Sequence, residues 1–125
     1  MSDLAGRRIM LVEDELLIAL DHADRLKRAG ADIVGPFPLV SQALEHLESG
    51  DKIDAAVIDF VLADRNSEDL QDALDQKKVP FVIVTAYPRV LVRRDNVHAV
   101  LSKPVTTEEL CETVMTVCGR VSAAP

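Results

Sequence analysis

The chain has 125 residues, 48% of them apolar and 28% charged, enough for one domain that buries roughly two-thirds of the surface its unfolded form exposes. Its formal charge of −7 repels phosphate backbones and argues against nucleic-acid binding. No apolar run reaches the eighteen or so residues of a membrane span, and the apolar stretch in "MSDLAGRRIMLVEDE" is too short for a secretory signal, so a cytoplasmic location is expected.

Taken in chain order, short runs rich in Val and Ile alternate with helical patterns. The runs "RIMLVE" (8–13), "ADIVGP" (31–36), "DAAVID" (54–59), "PFVIVTA" (80–86) and "HAVLSK" (98–103) are nearly continuous in apolar residues, as strands covered on both faces are. Between the first two, 14–29 places Leu16, Leu20, Ala23 and Leu26 at helical spacing, and Gly30 follows as a helix stop. Segment 39–49 repeats the pattern with Val40, Ala43, Leu44 and Leu47 before Gly50, and 67–77 does so with Leu70, Ala73 and Leu74. Segment 88–95 supplies the weakest helical pattern. The last helix, about 107–119, follows the N-cap candidates Thr106 and Thr107 and carries Leu110, Cys111, Val114, Met115, Val117 and Cys118. Seven residues along a helix separate Cys111 from Cys118 by about 10 Å, too far for a disulfide, so both are expected to be buried thiols. Five strand–helix alternations imply right-handed crossovers and a doubly wound α/β fold with a parallel sheet; only 121–125 reads as a loose tail.

In such a sheet, ligands sit beyond the carboxyl ends of the strands. That edge collects Glu13, Asp14 and Glu15 after the first strand, Asp59 at the end of the third, Thr85 at the end of the fourth, and Lys103 with Pro104 after the fifth. Converging carboxylates repel unless a cation compensates, and a small set of oxygen ligands points to Mg²⁺. A carboxylate can attack a phosphoryl donor to form an acyl phosphate. Asp59 would be that nucleophile, with Glu13 and Asp14 on the metal, Thr85 hydrogen-bonding one phosphoryl oxygen and Lys103 pairing with another. His22, His46 and His98, scattered over different elements, read as surface or rim residues.

The stretches "LVEDE", "VIDFVL", "VTAYP" and "LSKPV", in this order on five strand–helix units, resemble the receiver domain of bacterial two-component response regulators over residues 7–120. The resemblance implies a flavodoxin-like sheet of order 2-1-3-4-5 flanked by five helices. It implies phosphorylation of Asp59 by a histidine kinase or phosphotransfer protein, and Mg²⁺ held by Asp14, Asp59 and the Val61 backbone carbonyl. A domain of this kind is a signalling module rather than an enzyme, with self-phosphorylation and self-dephosphorylation as its only chemistry. It is expected to act without an output domain of its own, through partner binding or a homodimer on the 88–120 surface, where Arg89, Arg93 and Arg94 accompany Val90, Leu91 and Val92. Two departures stand out. Val100 occupies the position three before Lys103 where receivers usually carry a rotating aromatic, and Tyr87, two residues after Thr85, is proposed as a substitute reporter or lid. The loop "DFVLADRNSED" lacks the usual Pro and Gly, and Val61 and Tyr87, flanking the phosphoryl position, are expected to slow hydrolysis. Rival readings are a degenerate receiver that binds partners without phosphorylation, and an aspartyl-nucleophile phosphatase. Phosphatases of that type need a second acid two residues after the nucleophile, where this chain has Val61.

Overall fold

The computed structural model describes residues 4–86 and 97–123. Five strands, β1 (Arg8–Val12), β2 (Asp32–Phe37), β3 (Ala55–Asp59), β4 (Phe81–Thr85) and β5 (Val97–Ser102), form one sheet of order β2-β1-β3-β4-β5, every neighbouring pair parallel. Four helices occur among the described residues: α1 (Leu16–Arg28), α2 (Val40–Glu48), α3 (Glu68–Gln76) and α4 (Thr107–Ala123). The helix expected over 88–95 lies within 87–96, outside the described residues, as does Tyr87.

The continuous apolar strands are explained by helices on both faces. Alternate residues of each strand enter different cores. Ile9, Leu11, Ala55, Val57, Val82 and Val84 pack with α1 and α4, while Met10, Val12, Ala56, Ile58, Phe81 and Ile83 pack with α2 and α3. Cys111 and Cys118 are buried thiols in the first of these cores.

Helix ends follow their local chemistry. After α1, Gly30 (φ 102°) donates its N–H to the Lys27 carbonyl at 2.9 Å and Ala31 donates to Leu26 at 3.1 Å, a Schellman stop that uses the left-handed freedom of glycine. Lys78 (φ 58°) repeats the arrangement after α3 without glycine, its N–H bonding Asp75 and that of Val79 bonding Leu74. Thr106 caps α4 by accepting the Glu109 N–H at 3.0 Å, as its position before the apolar run foretold.

The expected apolar face of α1 needs correction. Its buried residues are Ala19, His22, Ala23 and Leu26, whereas Leu16 is 66% exposed and Leu20 48%. The small side chains of Ala19 and Ala23 face inward with Leu26, and the larger leucines of the first two turns face outward. His22, expected as a surface or rim residue, is buried and lines a cavity beside Glu13 and Lys103. His46 is half-buried, 2.8 Å from an Asp51 carboxylate oxygen and tilted against the Phe37 ring.

At the β1–β2 edge the register shifts beside Gly35 (φ 110°), where a Cβ would lie 2.8 Å from both the Leu11 carbonyl oxygen and the Phe37 nitrogen. Both obstacles are backbone and cannot move aside cheaply. Gly35→Ala is expected to destabilise the fold by ~1–3 kcal/mol, read as a lower urea midpoint with an unchanged slope.

Candidate phosphoacceptor site

Parallel strands in register bring their carboxyl ends to one edge. Val12 pairs with Ile58, Asp59 with Val84, and Thr85 with Ser102, so Glu13, Asp59, Thr85 and Lys103 arrive together although they span ninety positions of sequence. Backbone bonds fix the ends of these strands. Glu13 donates its N–H to the Phe37 carbonyl at 3.0 Å, Phe60 to Val84 at 3.0 Å, and Lys103 to Thr85 at 2.8 Å. The Lys103–Pro104 peptide that follows is cis.

Asp59 is 4% exposed, Thr85 4% and Glu13 5%, while Asp14 is exposed at the rim. Lys103 Nζ donates to Asp59 Oδ2 at 2.9 Å and lies 3.8 Å from Glu13 Oε1. Oxygen atoms of Glu13, Asp14 and Asp59 all fall within 4.8 Å of one another. Next to them a cavity of about 90 Å³ is lined by Asp59, Val61, Val84, Thr85, Ala86 and Lys103.

The electrostatics of this edge are unbalanced. Burial, then the neighbouring Asp59 carboxylate, pushes the Glu13 carboxyl up to about 9, with Lys103 only partly offsetting them. Burial opposes the charge on Lys103, but its hydrogen bond to Asp59 and the nearby carboxylates of Glu13 and Glu15 outweigh that and raise its pKa. Glu13 Oε2 is buried without a hydrogen-bond partner. An all-oxygen set, one buried carboxylate oxygen without a partner and an excess of negative charge together fit a hard divalent cation such as Mg²⁺. All the acidic ligands expected from the sequence thus converge. Val61 lines the small cavity and is 60% exposed, while Val100 is half-buried against the core under α2 and α3.

Three neighbouring features escaped the sequence reading. Leu16, Leu17, Ile18 and Leu20 form an exposed apolar patch on the first turns of α1. Beside it lies a cavity of about 360 Å³ bounded by Ile18, His22, Val84, Lys103, Pro104 and Val105. Burial lowers the pKa of His22 there and favours the neutral ring. The third feature is Asp64 in the loop after Asp59, whose carboxylate caps α2. An i, i+4 leucine pair reads equally well as core or surface, and a cap from another element leaves no local signal.

A carboxyl whose folded pKa lies above its ordinary value binds its proton more tightly in the folded state, so stability falls as pH rises from about 4.5 towards 9. In chelator-treated buffer the wild type is expected to lose melting temperature across that window. Glu13→Gln should flatten the slope, and the two proteins should converge near pH 4.5. Equal slopes in scanning calorimetry would contradict the burial of this charge.

No family model matches the chain. Over 109 residues it is 33% identical to the transcriptional regulatory protein PdtaR of Mycobacterium tuberculosis, a match that takes in 83% of this chain. The chain spans about half (53%) of the length of that relative. Its fold matches the solution structure of SdrG from Sphingomonas melonis with a TM-score of 0.73 and 32% identity, over 94% of this chain and 98% of that one. It also matches the receiver domain of the PhyR response regulator of Erythrobacter litoralis with a TM-score of 0.79 and 26% identity, over 97% and 95% of the two chains. Together with the parallel sheet of order 2-1-3-4-5, these likenesses establish that the chain belongs to the response regulator receiver family.

Proposed function

We propose that this domain is a phosphoacceptor whose Asp59 takes a phosphoryl group from a phosphohistidine and whose occupancy alters partner binding. The observation that carries this reading is the contact of Lys103 Nζ with Asp59 Oδ2 at the mouth of a small cavity otherwise walled by Thr85 and apolar groups. In the step proposed, an Asp59 carboxylate oxygen attacks phosphorus, the phosphorus–nitrogen bond breaks, and the imidazole nitrogen leaves with the bonding pair and takes up a proton. Lys103, freed from Asp59, pairs with a phosphoryl oxygen, and the Thr85 hydroxyl donates to another. A Mg²⁺ ion held by Glu13, Asp14, Asp59 and the Val61 carbonyl would supply the positive charge that the transferring oxygens require. The phosphatase reading finds no support, since Val61 offers no proton to a leaving group.

The donor must bring an imidazole to a carboxylate that is almost fully buried, so its docking surface borders the site. The exposed leucines of α1 and the 360 Å³ cavity beside them supply an apolar anchor there, which favours a histidine kinase or phosphotransfer protein as the partner on this side. The 88–120 surface is retained as the proposed output face, of which β5 and α4 are described and 88–96 is not.

Incubation with Mg²⁺ and acetyl phosphate is expected to add one phosphoryl group, located at Asp59 by peptide mass spectrometry and lost in Asp59→Asn. An unmodified wild type would refute the proposal. Because Val61 hinders an attacking water, the phosphorylated form should persist well beyond seconds, and Val61→Glu should shorten its life. Replacing a central apolar anchor of an interface costs about 2 kcal/mol, or roughly 30-fold. Leu17→Asp is therefore expected to slow transfer from a phosphorylated kinase by about that factor while labelling by acetyl phosphate stays unchanged.

A further inference from the structure

Helix α2 begins without a cap of its own: its N-cap residue is Leu39, no side chain near it in sequence bonds its first amides, and its first turn carries no acid. The missing acceptor comes from elsewhere. Asp64 Oδ1 accepts the Val40 N–H at 3.0 Å and Oδ2 accepts the Ser41 N–H at 3.2 Å, across 24 and 23 positions of sequence. Asp64 belongs to the loop that leaves Asp59, five residues after it.

That loop is closed on itself. Ser67 donates its N–H to the Phe60 carbonyl at 2.8 Å, Leu62 donates to Arg65 at 3.0 Å, and Val61 bridges to Asn66. Gln71 Nε2 anchors its far end by donating to the buried Ser67 hydroxyl at 3.0 Å. Leu62 sits in the same core as Val40 and Ala43 of α2, so the loop is joined to that helix by packing as well as by the cap. A segment tied at so many points moves as a unit, and any displacement at its start reaches Asp64.

Resting on the phosphoacceptor reading of Asp59, we infer that Asp64 is a positioning residue that carries the state of Asp59 to the N-terminus of α2. Its carboxylate holds the two amides in one geometry while Asp59 is free. When Asp59 and the Val61 carbonyl are drawn to a phosphoryl group and its ion, the closed loop shifts and the cap is remade in another geometry. This route avoids Val100, which packs inward on β5 and offers no rotating ring. It delivers the change to the face bearing Pro36, Phe37, Gln42 and His46, where a cavity of about 450 Å³ opens between β2 and α2.

The test uses beryllofluoride with Mg²⁺ as the phosphoryl mimic and follows backbone amides by NMR in the wild type, Asp64→Ala and Asp64→Asn. In the wild type, Val40 and Ser41 are expected to shift together with residues 59, 85 and 103. In Asp64→Ala their resting positions change and their response to the mimic is lost, while residues 59, 85 and 103 still respond. Asp64→Asn, which keeps one carbonyl oxygen and so preserves the helix start, should retain a reduced response. A cap that only stabilised α2 would change the resting spectrum and leave the response intact, which would overturn the inference. So would a wild type in which residue 59 responds but Val40 and Ser41 do not. Silence at residue 59 itself would instead remove the phosphoacceptor reading, and this inference with it.

Discussion

One lysine facing three carboxylates sets the terms for everything else at the edge of the sheet. Glu13 and Asp59 are almost fully buried, and Lys103, less than 3 Å from Asp59, cannot neutralise both. In water the imbalance would cost little. At the end of two buried strands each unscreened charge is expensive, and the structure responds at Glu13, whose carboxyl is driven towards its neutral form. A proton is one remedy and a divalent cation another. The resting site is therefore poised between them, and in the function proposed above a phosphoryl group, which adds negative charge, would shift that balance towards the cation.

Such an arrangement survives only because the scaffold holds the charges where they would not go by themselves. β1, β3 and β4 have both faces occupied, with Met10 and Val12 on one side, Leu11 on the other, and the same alternation along Ala55–Asp59 and Phe81–Thr85. Phe81, Ile58 and Leu11 are among the large side chains buried in these two cores, each worth ~1.5–3 kcal/mol relative to exposure. The strands end together because they are parallel and in register, so burial and convergence of the acids have the same origin.

This shared origin explains why so much could be read from the sequence. Five apolar runs and the spaces between them locate the five strands and the four helices of the described residues to within a few residues, because a buried parallel strand has no room for alternation and so announces itself. The residues ending those strands then converge by topology alone, which is why Glu13, Asp14, Asp59, Thr85 and Lys103 could be named together. What stayed illegible depends on contacts between elements. Leu16 and Leu20 share the helical period of Ala23 and Leu26, and only the packing of α1 in the folded domain decides which stripe faces inward. His22 is buried by the same packing. Asp64 sits among acids and polar residues in a loop, and nothing local distinguishes it from Asp69 or Asp72, which the α3 segment also carries.

The absence of an aromatic residue at Val100 changes how such a domain can transmit a signal. A rotating ring needs a hollow to turn into, and Val100 instead packs against the α2–α3 side core beside its strand partner Ile83. With β5 filled in this way, the phosphoacceptor reading proposed above would need a route from Asp59 through backbone instead of a rotating ring. Among the described residues, the closed loop following Asp59 starts at the site and lies outside the sheet. It ends on a charged hydrogen-bond pair at a helix start, where a carboxylate meets amides whose orientation it fixes. Charge-assisted bonds of this kind are strong but directional, so they resist small displacements and break or reform under larger ones. A loop that is stiff within itself and joined to its neighbour by such a bond passes on a displacement instead of absorbing it, which is the mechanical property a switch without a rotating side chain requires.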